Sequence, residues 1–229
     1  MMEAIILAGG KGTRLKPYTT SFPKPLMPIG DKPILEIVIN KLRDSGINKI
    51  TITVGHLAEL IQAYFGNGEK FGVKISYSKE EKPLGTAGPI NLIKKSISDS
   101  FILMNGDVLT DINLESLLKS HHENNSLATI ALSKRNVFID FGVIETDEVG
   151  FLSKWIEKPT IDYLVSTGIY VLSPKSLEYL PEGFSNLPDL IMSMINNNEK
   201  VSTFIHEGSW LDIGREEDYI EACNRYAND

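Results

Sequence analysis

The strongest constraint on this chain is an alternation running through its first half. Short apolar runs of β type take turns with amphipathic segments whose apolar residues recur every three to four positions. In order they are Ala4–Ala8, Ile34–Asp44, Lys49–Val54, Leu57–Phe65, Val73–Ser78, Ala87–Ile97 and Phe101–Asn105, strand then helix throughout. Strands joined by helices run parallel, and a parallel sheet is covered by helices on both faces. The expected strands are short, nearly all apolar, and end in polar or glycine-rich loops. Those loops therefore gather at the carboxyl edge, where open α/β sheets bind their ligands.

Beyond a helical segment at Asn113–Asn124 the character changes. Leu127–Ser133, Gly142–Glu145, Phe151–Ile156 and Val165–Leu172 read as strands separated by turns, an antiparallel extension of the core. Helical periodicity returns at Leu187–Asn196 and Glu216–Tyr226, with short strands at Val201–Ile205 and near Trp210–Ile213. With no linker, repeat or low-complexity tract, residues 1–229 are expected to form a single domain. Its two parts, 1–125 and 126–229, would share one core with a cleft between them. A net charge of −7 argues against nucleic acid as a partner, because a duplex needs a broad basic face. Cys223 is the single cysteine, which excludes an internal disulfide and favours a reducing compartment. No apolar run approaches the ~20 residues that span a bilayer, and no signal peptide opens the chain, so cytoplasm without membrane association is the expectation.

The one long irregular stretch is Gly9–Asp31, unusually long for a connection that holds no ligand. It opens with Leu7-Ala8-Gly9-Gly10-Lys11-Gly12-Thr13-Arg14-Leu15. Glycines after a strand let the backbone approach a ligand closely and aim N–H groups at an anion, and Lys11 and Arg14 add full positive charges. A dinucleotide-binding loop is the rival reading, but Leu15 stands where its third glycine should be. No Gly-Lys-Ser or Gly-Lys-Thr closes the turn, so it is not a Walker loop either. In Pro23-Lys24-Pro25 two prolines stiffen the backbone around a lysine. Taken alone, Lys24 reads equally as a fixed phosphate contact or as a solvated side chain. Asp107, just past the apolar run Phe101–Met104, is a carboxylate at the ligand edge that suits a hard cation or, alone, a turn.

The run Gly-Gly-x-Gly-Thr-Arg-Leu followed by Pro-Lys-Pro resembles the signature of the sugar-1-phosphate nucleotidyltransferases. Leu84-Gly85-Thr86-Ala87-Gly88-Pro89, Asn105-Gly106-Asp107, Glu157-Lys158-Pro159, Thr167-Gly168-Ile169-Tyr170 and Trp210-Leu211-Asp212-Ile213-Gly214 extend the resemblance, in order, over almost the whole chain. It implies a Rossmann-like three-layer α/β/α fold with a mostly parallel central sheet and a small antiparallel sugar-binding extension. Residues 1–125 become the nucleotide-binding core and 126–229 the sugar-phosphate-binding part, with no C-terminal β-helix domain and no second activity. The implied substrates are a nucleoside triphosphate and a sugar 1-phosphate, and a homodimer is compatible with the reading.

The resemblance also assigns roles. Leu7, Ala8, Gly9, Gly10, Lys11, Gly12, Thr13, Arg14 and Lys24 would hold the nucleotide, with Gly85, Thr86, Asn105 and Gly106 nearer the base. Arg14, Lys24 and Asp107 would be catalytic, and Asp107 would pair with Asp212 around Mg²⁺. Lys158 would hold the phosphate of the sugar 1-phosphate, with Glu157, Thr167 and Gly168 beside the sugar. The nucleophile is already an anion, so the chemistry needs positioning and charge cancellation rather than a general base. His56, His121, His122 and His206 are accordingly read as surface or structural, and Tyr170 and Trp210 as core aromatics.

The form Pro-Leu-Gly-Thr-Ala-Gly-Pro resembles guanylyltransferases acting on mannose 1-phosphate and related manno-configured sugars, which favours GTP. Similar loops occur in enzymes using UTP, CTP or dTTP, and a phospho-polyol acceptor keeps the same mechanism. Ser166-Thr167-Gly168-Ile169-Tyr170 departs from the Asn-Ala-Gly-Ile-Tyr of many mannose-specific relatives, which puts mannose itself in doubt. From another class, a catalytically silent sensor of nucleotide sugars would keep this fold but lose the charge-handling residues, all of which are present here.

Overall fold

The computed structural model describes residues 3–226. Strand β1 (Glu3–Ala8) leads into a loop of short 3-10 turns and a small hairpin, β2 (Pro28–Ile29) and β3 (Lys32–Pro33). Then follow α1 (Ile34–Asp44), β4 (Lys49–Val54), α2 (Ala58–Phe65), β5 (Lys74–Lys79), β6 (Phe101–Asn105), β7 (Val108–Thr110) and α3 (Leu114–Asn124). The second half supplies β8 (Ala128–Phe138), β9 (Val143–Thr146), β10 (Leu152–Ile156), β11 (Thr160–Leu172), α4 (Leu187–Asn196), β12 (Val201–His206), β13 (Trp210–Asp212) and α5 (Glu216–Tyr226).

Seven strands form the main sheet in the order β12-β8-β11-β6-β1-β4-β5. All run parallel except β11, which is antiparallel to both its neighbours. The alternation of β1 sorts its side chains to two faces. Ala4, Ile6 and Ala8 join a buried layer with Leu35, Val38, Ile39 and Leu42 of α1, Ile61 and Phe65 of α2, and Leu117 of α3. Ile5 points the other way, into a layer with Leu103, Tyr170 and Leu187, Leu190 and Met194 of α4. The outcome is the three-layer α/β/α arrangement, with each buried Leu, Ile or Phe contributing roughly 1.5–3 kcal/mol. Among the described residues no helix is long and apolar enough to cross a membrane.

Helix ends follow local chemistry. Asn113 caps α3 by accepting the Ser116 N–H at 2.8 Å, and Asn186 with Asp189 forms a capping box on α4.

Two expectations need correction. Ala87–Ile97 is not an α-helix but two 3-10 stretches, Gly88–Leu92 and Lys94–Ser96. The Ser185 carbonyl takes the N–H groups of both Ala87 and Gly88, at 2.9 and 3.1 Å, so tertiary anchoring overrides the periodicity. The second half is also less separate than an extension, since β8, β11 and β12 belong to the main sheet. Only the outer ends of β8 and β11, with the hairpin β9–β10 between them, project as an arm. Strand β7 and the hairpin β2–β3 are built of elements two or three residues long, too short to show a period in the sequence.

Candidate active site

The chain begins in the middle of the sheet, builds β4 and β5 outward on one side, and returns to place β6 on the other. Strand order therefore reverses between β1 and β6, and a crevice opens beyond their carboxyl ends. A cleft of about 450 Å³ lies there, walled by the glycine turn after β1, by Asn105-Gly106-Asp107 after β6, and by Gly85 and Thr86. The Gly106 N–H donates to the Leu7 carbonyl at 2.9 Å, locking the two strand ends together. Of the expected nucleotide residues, Leu7, Ala8, Gly9, Gly10, Gly12, Thr13, Arg14, Lys24, Gly85, Thr86, Asn105 and Gly106 line this cleft. Lys11 is exposed and outside the lining.

Two acids far apart in the chain meet through the small ribbon β7–β13. Asp212 is in register with Val108, the residue after Asp107, and the Ile213 N–H donates to the Asp107 carbonyl at 3.0 Å. Burial, and then the neighbouring Asp107 charge, push the Asp212 carboxyl above its ordinary range, against the opposing pull of Lys24 and Arg14. Lys24, held in a 3-10 turn between its prolines, donates to Asp107 Oδ2. Asp107 Oδ1 is buried and has no hydrogen-bond partner among the described residues. The Arg14 guanidinium reaches across to the Asp212–Gly214 turn, its Nη1 3.2 Å from where a Gly214 Cβ would stand. Two carboxylates and two cations thus face one another beside the glycine turn.

Those carboxylates are candidates to hold a metal ion. Among the described residues no group of three or more His, Cys, Asp or Glu gathers for a dedicated cage. A pair of carboxylates with one orphaned, buried oxygen suits Mg²⁺ instead, which takes one or two protein carboxylates and completes its shell with water and phosphate.

The Gly85–Pro89 loop is pinned to the segment before α4. Gly85 has φ +82°, and a Cβ there would collide with the Ser185 carbonyl. The Thr86 hydroxyl accepts the Leu187 N–H at 2.9 Å, which fixes its oxygen and leaves its proton and second lone pair for a ligand.

The expected sugar-side residues lie apart from the cleft wall. Thr167 is buried and donates to the Ala131 carbonyl at 2.8 Å. Gly168, φ +74°, sits at the register break of β11, and its missing side chain makes room for Asn105, which lines the cleft. The position a Gly168 Cβ would occupy is thus taken by that amide. Glu157 and Lys158 are exposed on the arm, in the turn between β10 and the outer end of β11. Glu157 accepts the Trp155 indole N–H at 3.0 Å, and Lys158 pairs with Asp140 at 2.7 Å. Trp210 donates to the Thr167 carbonyl at 2.9 Å, and Tyr170 is buried in the core. Of the histidines, His121 is buried against Thr129 and His206 contacts Asp111, while His56 and His122 stay nearer the surface.

Glu80 was not legible as a site residue. It follows β5 directly, so it too stands at the carboxyl edge, but within Lys79-Glu80-Glu81-Lys82 it reads as a solvated charge. In the fold it lines the cleft, and one oxygen accepts the Leu84 N–H at 2.9 Å. The other, Oε1, occupies the space a Gly9 side chain would need. Burial raises its pKa, with the Leu84 N–H acting in the opposite sense.

Comparison with known proteins gives a family match over residues 3–229, to the model described as nucleotidyl transferase. UTP–glucose-1-phosphate uridylyltransferase of Synechocystis sp. is 35% identical over 96% of this chain and 62% of its own length. The mannose-1-phosphate guanylyltransferase catalytic subunit beta of Xenopus tropicalis is 31% identical over 98% of this chain and 64% of its own. The chain therefore spans less than two thirds of the length of these curated relatives. Among solved structures, HddC from Yersinia pseudotuberculosis complexed with GMP-PN superposes with a TM-score of 0.75 at 26% identity, covering 99% of this chain and all of that one.

Proposed function

This chain belongs to the nucleotidyl transferase family, among the sugar-1-phosphate nucleotidyltransferases, and from that premise we propose that it joins a nucleoside triphosphate to a sugar 1-phosphate, making a nucleotide sugar and releasing pyrophosphate. The observation that carries the reading is the meeting of Arg14, Lys24, Asp107 and Asp212 beside the glycine turn. An oxygen of the sugar 1-phosphate attacks the α-phosphorus in line. A new P–O bond forms as the bond to the β-phosphate breaks, and pyrophosphate leaves as an anion. The reactants repel each other, so catalysis consists of orientation and cancellation of negative charge.

Arg14 and Lys24 grip the triphosphate, and Arg14 stabilises the departing pyrophosphate. Asp107 and Asp212 would hold Mg²⁺, which supplies charge neutralisation on the phosphates when bound. Glu157 and Lys158 take the sugar phosphate from the arm, in the turn between β10 and β11, while Thr167 anchors β11 and Gly168 makes room for the Asn105 amide that lines the cleft. In this assignment residues 1–125 bind the nucleotide and 126–229 the sugar phosphate.

We further propose that the base is guanine and the acceptor a manno-configured hexose or heptose 1-phosphate. Glu80 supports the base. A carboxylate only accepts hydrogen bonds, and guanine alone presents two adjacent donors, N1–H and N2–H₂, on its pairing edge. Uracil and thymine would set a carbonyl oxygen against the same charge. The guanylyltransferase relative and the neighbour named in complex with GMP-PN agree with this choice. A uridylyl transfer is the second reading, favoured by the Synechocystis relative.

A matrix of GTP, UTP, CTP and dTTP against sugar 1-phosphates, with Mg²⁺ and pyrophosphate detection, tests the proposal. Release with GTP and a manno-type partner is expected. Equal or better release with UTP and glucose 1-phosphate selects the second reading, and no release with any pair defeats both.

A further inference from the structure

Among the described residues only one aromatic side chain lines the cleft, Phe184, on the segment that leads into α4. It is 66% exposed and belongs to none of the three buried clusters, so the core does not account for it. The backbone that carries it is nevertheless fixed on both sides. Before it, the Asn91 amide donates to the Pro181 carbonyl at 2.6 Å. After it, the Ser185 N–H donates to the Leu84 carbonyl at 2.9 Å, and the Ser185 carbonyl takes the N–H groups of Ala87 and Gly88. Two glycines make this approach possible. A Cβ at Gly85 would collide with the Ser185 carbonyl, and one at Gly88 would stand 2.5 Å from the Gly183 carbonyl oxygen. The bare backbone at 85 and 88 thus lets the segment lie directly on the loop and presents the Phe184 ring to the cleft. We propose that Phe184 is a nucleotide-binding residue whose ring stacks on the face of the nucleobase, while Glu80 meets the edge of the same base.

The chemistry of the two substrates selects the base as the partner. The cations that line the cleft, Arg14 and Lys24, both come from the loop after β1, and they draw the phosphates to that side. A phenyl ring carries neither charge nor hydrogen-bonding group and has nothing to offer a phosphate. Of all the parts of a nucleoside triphosphate and a sugar 1-phosphate, only the base has a flat π-face to set against it. Every base has such a face, so stacking adds affinity without choosing between bases. The edge contact of Glu80 makes the choice, and the two residues divide the work. Because the backbone of Gly183–Ser185 is held before the ligand arrives, little beyond the ring itself has to be ordered on binding.

This inference rests on the activity proposed above, and its test is a binding measurement that needs no turnover. Isothermal titration calorimetry is run on the full chain with GTP, with UTP and with inorganic tripolyphosphate, in Mg²⁺ and without acceptor. Phe184→Ala and Phe184→Leu should each weaken both nucleotides by about tenfold or more, the usual loss on removing one base–aromatic stack. Phe184→Tyr, which keeps the ring, should bind as the parent does. Tripolyphosphate has no base and should bind the parent and all three variants alike. Unchanged nucleotide affinity in Phe184→Ala overturns the inference, leaving the acceptor as what the ring meets. Parent-like affinity in Phe184→Leu overturns stacking, since apolar cover alone then suffices. An equal loss for tripolyphosphate overturns it too, because the substitution has then disturbed the cleft as a whole. A parent that binds neither nucleotide overturns the proposed activity together with this inference, an outcome distinct from the other three.

Discussion

Lys24 donates to one oxygen of Asp107 and leaves the other buried without a partner, while Asp212 stands close enough for the two acidic charges to repel. The site is thus built around an electrostatic conflict that a divalent ion and a triphosphate would resolve together.

Asp212→Asn and Asp107→Asn are each expected to lower turnover about a hundredfold or more, the usual loss on removing one preorganised electrostatic group. Near-normal turnover in both variants defeats the metal assignment. For stability the sign is opposite. The Asp212 carboxyl is raised in the fold, so the native state keeps a proton that the unfolded chain gives up. Stability falls as pH rises above the ordinary carboxylate range, and the penalty is complete once the raised group has ionised. Asp212→Asn removes it, so thermal unfolding in metal-free buffer at neutral pH should show a higher midpoint than the parent. A lower midpoint contradicts the repulsion.

Two glycines separate ligand approach from folding. A Cβ at Gly10 meets nothing within 4 Å, whereas at Gly85 it meets the Ser185 carbonyl at φ +82°. Gly85→Ala should cost about 1–3 kcal/mol in denaturant unfolding. Gly10→Ala should leave stability within about 0.5 kcal/mol yet lower kcat/KM for the nucleotide by about tenfold or more, because a methyl group stands where the ligand comes closest. Unchanged kinetics would show that the phosphates do not pass over Gly10.

Glu80→Gln replaces a group that only accepts with one that donates on one side. The preference for GTP over UTP, as a ratio of kcat/KM values, should fall by about tenfold or more, since a good bidentate pair discriminates by about 1–3 kcal/mol. An unchanged ratio removes Glu80 from base selection.

His121 gives the fold an acid sensitivity of its own. It is buried, its Nδ1 lies 2.8 Å from Thr129 Oγ1, and that oxygen lies 2.7 Å from Ser202 Oγ. Burial, with some help from His122, pushes its pKa down to about 4. Unfolding lets it take a proton the native state refuses, so stability present at neutral pH is lost as pH falls from the ordinary histidine range towards 4, by on the order of 3 kcal/mol. Melting curves across that interval should fall less steeply for His121→Gln. Equal slopes assign the acid loss elsewhere.

The regular elements were legible where side-chain pattern alone decides them. Ile34–Asp44, Lys49–Val54, Phe101–Asn105, Leu187–Asn196 and Glu216–Tyr226 begin and end where the periodicity does. The pattern failed where a partner distant in sequence sets the conformation. Ala87–Ile97 has helical spacing, but Ser185 fixes its start, and β8 runs on through Lys134–Asn136, a polar stretch held by pairing with β11 and by the contacts of Lys134 with Glu207 and of Arg135 with Trp210. The cleft could be read from strand ends and glycines, since both mark the carboxyl edge. Glu80 could not, because burial alone distinguishes it from Glu81 beside it. Nor does the motif Glu157-Lys158-Pro159 announce that its side chains would sit on the arm, paired with Trp155 and Asp140.

One strand, Thr160–Leu172, begins on the exposed arm and ends in the middle of the sheet, passing on its way the glycine against which Asn105 rests. At about 3.3 Å per residue it is a rod some 40 Å long, with its single irregularity at Ser166–Tyr170, beside the cleft. A force applied to the outer tip is thereby delivered to the one place where the rod can bend. Whatever grasps the arm holds a lever whose fulcrum lies against the cleft residue Asn105.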